Sequence, residues 1–483
     1  MNALLLAALL LPSRLLPEAL TAQTGSRAVQ APAPGSPAAP PALLPELPAA
    51  STPFQPQVSD PLLAPVPSAP LQLSSWGEAL GALRQRSTDL QVALAQVESA
   101  AGQWRIALAA LLPSVQGTAS AILNVLHPGS PPFISGVSSS PSGGPALTAP
   151  LGVGTLNASV ALVDFSAYSA LGTARESEHA ATLSLAETRR QLTGRLASAL
   201  VSVVASERLA DVNRVNLRTA LERLALAQRR LELGAGTQLD VLRVRQDAET
   251  ARDAVVSGDE SLRKARESLG LALGLPQAVG LAQSVKLEAV LSEARQDCHG
   301  LEALDNRPDL AAARSRLTAA EHGVSDVKTD YLPSLSLQSS TTAITVDPGA
   351  VTVPSWNLTA ALALPFWDGG ARAGRLRQAR AQAEIARQDV AGRERSVAVE
   401  VTQSRRAVEV ARSARDIAAR ARDIAEETDR LTRRSFEVGT GTSLELVQSA
   451  GALRQAELQL VLREFQLQET QVTAFLAEAA CDW

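Results

Sequence analysis

Residues 234–239 read GAGTQL, and residues 439–444 read GTGTSL. The two stretches lie 205 residues apart, from Gly234 to Gly439, and long proline-free segments rich in Ala, Leu, Arg, Glu and Gln flank each of them. Such composition is typical of long helices, and glycine allows a tight reversal between two antiparallel helices. The sequence therefore predicts two copies of a unit in which a very long helix turns back into a second helix.

The duplication extends beyond these turns. Residues 89–114 and 309–334 share the first pair Asp-Leu and the last triplet Leu-Pro-Ser, and Asp164 corresponds to Asp368. A repeat of this kind has to be recognised before a fold is assigned. We predict a first repeat at 73–275, with long helices at 165–233 and 238–274. A connector at 276–305 and a second repeat at 306–483, with long helices at 369–438 and 443–480, complete the chain.

The long helices carry a coiled-coil pattern. In the second repeat, apolar residues recur every seven positions at Val410, Ile417, Ile424 and Leu431, which is the spacing of a helix-packing seam. The helix at 165–233 would be roughly 100 Å long at 1.5 Å per residue. A compact domain has no use for such a helix, so the pattern favours a coiled coil or a tube.

Each repeat also contains two strand-like segments, at about 113–126 and 150–163 in the first and about 333–346 and 356–366 in the second. Apolar and polar residues largely alternate in them, and their lengths suit strands tilted across a bilayer. Two half-buried hairpins on a soluble sheet would explain the alternation equally well. Four strands cannot close a barrel, and an open edge in lipid leaves backbone groups unpaired. If these strands span a membrane, several chains must share one barrel.

The N-terminus has the character of an export signal. Residues 3–11 form an unbroken apolar run, and a small residue, Ala22, marks a plausible cleavage site. We predict a signal peptide at 1–22. Residues 23–72 are rich in Pro, Ala and Ser and predict an extended, disordered linker. Beyond the signal, no apolar run is long enough for a transmembrane helix.

Composition argues against several functions. The chain has 483 residues and a net charge of -4, which gives no reason to expect a nucleic acid or another polyanion as partner. Its two cysteines are too few for a disulfide framework, and its four histidines are scattered. Cys298 and His299 are adjacent, but one such pair supplies too few ligands for a metal site. No nucleophile lies in a pattern with a base. We therefore expect no metal, no cofactor and no enzymatic activity.

Several motifs resemble those of one family. Asn306-Arg307-Pro308-Asp309-Leu310 and Tyr331-Leu332-Pro333-Ser334-Leu335 are similar to the second-repeat signature of the TolC-like outer-membrane efflux proteins. Pro365-Phe366-Trp367-Asp368-Gly369-Gly370 and the second glycine turn resemble two further signatures. The motifs occur in the family's order, and the resemblance covers about residues 74 to 480.

The resemblance implies a mainly α fold with membrane β structure. In that family, a homotrimer forms a 12-strand outer-membrane barrel continuous with a 12-helix periplasmic tunnel. It implies passive export of substrates delivered by an inner-membrane pump through a periplasmic adaptor, in contact with outer-membrane lipid. Trp356, Phe366 and Trp367 would then lie at the membrane interface. A soluble periplasmic coiled-coil adaptor or structural rod is the alternative. It accounts for the heptads and the export signal but not for the duplicated hairpins.

The resemblance also assigns roles to the two turns. They would form the periplasmic tip that meets the adaptor, through Gly234, Gly236, Thr237, Gly439, Gly441 and Thr442. Acidic residues just beyond them, Asp240 and Glu445, would ring the tunnel aperture. The positions of the family's second acid and of its latch hold Gln448, Gly441 and Phe436 here. From the residues alone, helix capping explains Asp240 and Glu445 as well, and Asp164 and Asp368 are expected to be N-terminal caps.

Overall fold

The computed structural model describes residues 56–130, 146–282 and 287–483. The predicted signal peptide at 1–22 and most of the predicted linker at 23–72 lie outside the described residues. Within these ranges, helices make up most of the chain and strands the smaller part. No helix in the described part of the chain is both long and apolar enough to cross a membrane.

Four long helices form two pairs. A short turn joins α3 (Phe165–Glu232) to α4 (Gln238–Ala272), and a second turn joins α7 (Ala371–Glu437) to α8 (Ser443–Leu476). With 68 residues, α3 is about 100 Å long. All four overlap the predicted long helices, but α8 ends at Leu476 rather than at the predicted 480, because Ala479–Cys481 form a strand. The shorter helices are α1 (Trp76–Arg86), α2 (Thr88–Ala109), α5 (Leu287–Gln296) and α6 (Pro308–Thr329).

The helices pack as one row. The long helix α3 contacts α2, α4, α6 and α8, whereas α7 packs mainly against α6 and α8. Because α6 and α8 contact both long helices, they lie between them. The row therefore ends in α2 and α4 on one side and in α7 on the other.

The four predicted strands form one antiparallel sheet. Its members are β2 (Ser114–Ile122), β3 (Leu151–Val163), β6 (Ser334–Val346) and β7 (Ala350–Ala363). Their order is β2-β3-β6-β7, so the two repeats meet where β3 pairs with β6. β2 and β7 are the edges of this sheet.

Three strand ends differ from the prediction by several residues. β2 stops at Ile122 instead of about 126, and β7 runs from Ala350 to Ala363 instead of from about 356 to 366. β6 and β7 join through a tight turn in which Gly349 adopts a φ of 107°. Glycine makes this conformation accessible, so the ladder continues into residues that the sequence analysis treats as loop.

The largest apolar core lies around the middle of α3, and we call the short elements there the belt. The belt comprises α1, α5 and two small sheets, in which β1 (Leu71–Leu73) pairs with β4 (Val279–Leu281) and β5 (Cys298–Gly300) pairs with β8 (Ala479–Cys481). Trp76 is 1% exposed there and donates its indole N–H to Asp297 at 2.8 Å.

Cys298 and Cys481 are joined by a disulfide across β5 and β8. The sequence analysis assigns no role to either cysteine. Their separation of 183 residues carries no recognisable spacing, and only the pairing of the two strands brings them opposite each other.

The end of the predicted linker is packed rather than extended into solvent. Residues 58–67, which we call the strap, lie against α3 and α4. Val58, Leu62 and Leu63 contact the apolar cluster of these helices, and Asp60 forms an ion pair of 2.9 Å with Arg252. The linker prediction rested on the proline and alanine content, which concealed these apolar contacts.

Two further arginines hold the strap by its backbone. Arg214 on α3 donates from Nε to the carbonyl of Ala64 at 3.1 Å, and Arg266 on α4 donates from Nη1 to the carbonyl of Pro67 at 2.8 Å. The corresponding positions of the second repeat, 205 residues later, hold Ala419 and Gln471. Only the first repeat can therefore bind a strap in this way.

Candidate functional site

The two turns between the long helices have the same backbone geometry. Gly234 and Gly439 adopt φ values of 72° and 85°. The following residue closes the end of the preceding helix in each case: the N–H of Ala235 donates to the carbonyl of Arg230 at 2.8 Å, and that of Thr440 donates to Ser435 at 3.0 Å. These are Schellman-type ends, which favour glycine because its φ is positive.

The second glycine of each turn is needed for a different reason. A Cβ built on Gly441 would lie 3.0 Å from the backbone N of Phe436, and one on Gly236 would lie 3.3 Å from that of Leu231. A side chain at either position would press on the backbone of the preceding helix, which would have to shift by a few tenths of an ångström. Both glycines of each turn therefore have a structural requirement, which explains the recurring spacing in the sequence.

Both candidate aperture acids are helix caps. In a capping box, the side chain of Thr237 accepts from the N–H of Asp240, and Asp240 accepts from the N–H of Thr237 at 3.0 Å. Thr442 and Glu445 make the same reciprocal pair at the start of α8. The capping interpretation is confirmed for both residues.

Asp240 also joins the two turns. Ser443, the first residue of α8, donates its hydroxyl to the second carboxylate oxygen of Asp240. This bond and those from Thr237 hold the pKa of Asp240 below its ordinary value of 3.8. At Glu445 the bonds from Thr442 alone lower the pKa of the carboxyl. Asp240 and Glu445 are thus ionised at neutral pH, but only Asp240 accepts a bond from the other turn.

A second link between the turns runs in the opposite direction. Arg230, near the end of α3, donates from Nη1 to the carbonyl of Phe436 at 2.6 Å and lies 4.3 Å from the centre of its ring. The same guanidinium reaches the carbonyl of Ala235. One side chain therefore ties together the ends of α3 and α7, and Phe436, at 5% exposure, is buried there.

A buried charged cluster lies further along the same helices. Arg223 of α3 is between two carboxylates, 3.7 Å from Asp247 of α4 and 3.6 Å from Asp429 of α7. Asp247 also pairs with Arg454 of α8 at 3.0 Å, and Asp429 pairs with Arg433 at 2.9 Å. Asp247 and Asp429 are only 4% and 2% exposed. All four long helices thus meet around two buried carboxylates.

The remaining signature residues have structural contacts. Arg307 is 2% exposed and pairs with Asp309 and Glu400 at 2.9 and 2.6 Å. Pro308 begins α6, Asn306 ends the turn before it, and Leu310 is buried in the core. Pro333 precedes β6.

The predicted cap is confirmed for α3 only: the N-cap of α7 is Gly370, which makes no side-chain cap bond, and Asp368 lies two residues before it. Asp368 accepts from the backbone N–H groups of Gly370 and Arg372, while Gly369 has a φ of 72°. Asp164 caps α3 in the predicted way.

Residues 79–275 and 301–477 match the sequence pattern of the family described as outer membrane efflux protein. These two ranges make up more than half of the chain. The chain belongs to the outer membrane efflux protein family. The predicted fold class and localisation are confirmed: this efflux protein is an outer-membrane channel protein, and the alternative of a soluble periplasmic adaptor or rod is excluded.

Relatives of this efflux protein include exporters of different substances. A pyoverdine export outer membrane protein of Pseudomonas putida is 27% identical over 414 residues, which cover 82% of this chain and 83% of the relative. A toluene efflux pump outer membrane protein of Pseudomonas putida is 24% identical over 387 residues, covering 77% and 76%.

Solved structures have the same fold. CusC superposes with a TM-score of 0.69 at 18% identity, over 88% of this chain and 99% of that chain. The outer membrane protein VceC of Vibrio cholerae superposes with a TM-score of 0.68 at 18% identity, over 83% and 95%.

The structure adds residues that the sequence analysis missed. Arg230 and Ser443 link the turns, and Arg223, Asp247 and Asp429 form the buried cluster. Asp247 could have been recognised from the sequence, because a charged residue there interrupts the apolar helix face formed by Val244, Ala248 and Ala251. Arg230 and Ser443 have no such signal, since their counterparts in the other repeat are Ser435 and Gln238.

Proposed function

We propose that three copies of this efflux protein form one channel through the outer membrane and periplasm. The channel passively conducts substrates that an inner-membrane pump delivers through a periplasmic adaptor, and its role includes no catalytic step. The observation that carries this proposal is the four-stranded sheet with two open edges in a member of the outer membrane efflux family.

The edges of the sheet are complementary. All neighbours in the order β2-β3-β6-β7 are antiparallel, so β7 of one copy and β2 of the next would continue the alternation. Every residue of β2 is exposed in the single chain. In lipid, an unpaired backbone group costs several kcal/mol. Pairing between copies removes this cost, and three copies supply the 12 strands that the family resemblance implies.

The helices also present an unpaired apolar surface at the edge of the row. The heptad residues of α7 do not pack within the chain: Val410 is 61%, Ile417 59% and Ile424 69% exposed. The opposite edge presents Leu242 and Val256 on α4, which are 51% and 54% exposed. A second copy would bury both surfaces, and the seam predicted from the sequence would then lie between copies.

The two turns are the proposed adaptor-docking tip, and Asp240 and Glu445 are the proposed aperture acids. Both carboxylates carry charge at neutral pH, as this role requires. Three copies would place six carboxylates around one opening. A ring of carboxylates favours cations over anions.

Two measurements test the proposal. Native mass spectrometry of the detergent-solubilised protein should give a trimer, and a stable monomer would overturn the shared barrel. In planar-bilayer recordings, Asp240→Asn combined with Glu445→Gln should reduce cation preference. Glu98→Gln, an exposed carboxylate on α2, is the matched control and should leave selectivity unchanged. Equal selectivity in the double variant and the wild type would restrict Asp240 and Glu445 to helix capping.

A further inference from the structure

Residues 476–483, which we call the clasp, form hydrogen bonds with several separate elements of the chain. Arg190 of α3 donates to the carbonyl of Leu476 at 3.0 Å, and Arg307 donates to that of Ala477 at 3.1 Å. The N–H of Leu301 in the connector donates to the carbonyl of Glu478 at 2.8 Å. The clasp thus joins the connector and the start of α6 to the middle of α3.

The side chains of the clasp reach further helices. Glu478 forms a two-bonded ion pair with Arg405 of α7, with distances of 2.5 and 2.6 Å. Trp483 donates its indole N–H to Thr193 of α3 at 2.8 Å, and Arg84 of α1 lies over its ring at 5.5 Å. Both repeats and the connector therefore depend on the position of this segment.

The sheet that holds the clasp is short. β5 and β8 have three residues each, and a two-stranded pair of this length is marginal by itself. The disulfide between Cys298 and Cys481 is the one covalent link described between the clasp and the connector. Both cysteines lie inside the belt core, at 5% and 0% exposure.

We propose that Cys298 and Cys481 are substrates of a disulfide-donating protein oxidant in the compartment to which the chain is exported, and that the bond they receive locks the clasp. An outer-membrane protein passes through an oxidising compartment, where such bonds form and persist. The partner is defined by its chemistry: it carries a reactive disulfide and binds an incompletely folded chain.

The disulfide forms in two successive thiol–disulfide exchange steps. The thiolate of one cysteine attacks the oxidant's disulfide, which gives a mixed disulfide and releases one oxidant thiolate. The thiolate of the second cysteine then attacks the mixed disulfide at the sulfur of the first. Cys298 and Cys481 lose two electrons and two protons in total, and the oxidant is reduced to a dithiol.

Burial sets the order of events. In the folded chain neither sulfur is accessible to a protein oxidant, so the exchange has to occur before the belt closes. A chain that folds without the bond would retain the clasp through hydrogen bonds and ion pairs alone. Its clasp should then open more often, while the distant turns at 234–240 and 439–445 keep their own capping bonds.

The partner is tested in cells. The protein is expressed in a host with its periplasmic disulfide donor and in the same host lacking that donor, and free thiols are trapped with a maleimide polymer under denaturing conditions. We expect at least five-fold more free thiol in the host without the donor. Full oxidation in both hosts would overturn the role of a protein oxidant, and full reduction in both would overturn the bond.

The function of the bond is tested on the purified trimer by hydrogen exchange. Cys298→Ser, Cys481→Ser and the double variant should each exchange the amides of 477–483 at least ten-fold faster than the wild type. The three should agree with one another, because a disulfide needs both sulfurs. The turns at 234–240 serve as the internal control. Unchanged exchange at 477–483 would show that the bond does not lock the clasp.

Discussion

Ser443 donates its hydroxyl hydrogen bond to Asp240, so that the first residue of α8 is joined to the third residue of α4. The carboxylate of Asp240 caps its own helix with one oxygen and binds the neighbouring pair of helices with the other. The corresponding pair in the other direction would be Gln238 and Glu445, between which no hydrogen bond is found. The bond at the tip is therefore asymmetric: the second repeat donates it through Ser443, and the first repeat accepts it through Asp240.

Removing the Ser443 hydroxyl should loosen the contact between the two turns. Ser443→Ala deletes the bond to Asp240 and leaves the capping box of α4 intact. A hydrogen bond to a partly exposed carboxylate contributes about 1 kcal/mol per copy. We expect a higher open probability in planar-bilayer recordings. The control Thr442→Ala weakens only the cap of α8, and an identical effect of both variants would count against the link.

Acid should weaken the same link. The folded pKa of Asp240 is below its ordinary 3.8, so its contribution to stability is fully present above that value and is lost as the pH falls through the folded pKa. Conductance of the wild type should therefore stay constant from neutral pH to about pH 5. It should rise below about pH 4, where the carboxyl of Asp240 begins to take up a proton. Asp240→Asn should lack this rise. A rise that persists in the variant would assign the effect to another carboxyl.

The buried cluster should respond strongly to the loss of its central cation. Arg223→Met leaves Asp247 and Asp429 with less compensation in a dry environment and should destabilise the fold by about 3 kcal/mol. Combining Arg223→Met with Asp429→Leu should recover part of that loss, because the second change removes one of the two carboxylates. Denaturant unfolding measures the coupling. Strict additivity of the two single variants would mean that Arg223 and Asp429 do not interact.

The positive φ of Gly439 should make glycine the most stable residue at this position. Gly439→Ala forces a side chain into a positive φ and should cost on the order of 1 kcal/mol. Gly392 lies in the interior of α7, the helix that ends just before Gly439, and a Cβ at Gly392 would meet no atom within 4 Å. Gly392→Ala is therefore the control. It should stabilise the protein by about 0.5–1 kcal/mol. Opposite shifts in thermal unfolding are expected, and shifts of the same sign would refute the assigned strain.

The strap should depend on Arg252. Arg252→Ala removes the ion pair with Asp60, and hydrogen exchange at residues 61–64 should become several-fold faster. The change should not spread to the second repeat, where position 457 holds glutamate and none of the described segments forms a strap. Glu249→Ala is the control, since Glu249 pairs with Arg252 on the exposed side without touching the strap. Equal acceleration in both variants would show that the exposed pair holds the strap indirectly.

Local sequence determined the elements of this protein. Glycine spacing located both turns, because a positive φ and a close backbone approach both favour a residue without a side chain. Proline-free, alanine- and leucine-rich segments fixed the long helices, and the alternation of apolar residues located all four strands. The capping roles of Asp164, Asp240 and Glu445 were also predictable, since a cap bonds to backbone groups within a few residues of itself.

The tertiary structure decided which distant residues meet. Arg230 reaches Phe436, Ser443 reaches Asp240, and Cys298 reaches Cys481 across separations of about 200 residues. These contacts depend on how α7 and α8 are placed beside α3 and α4, and no local propensity records that placement. The heptad residues of α7 illustrate the same limit. Their spacing revealed a packing surface, but only the fold showed that no helix among the described residues covers it, because the row of helices ends at α7.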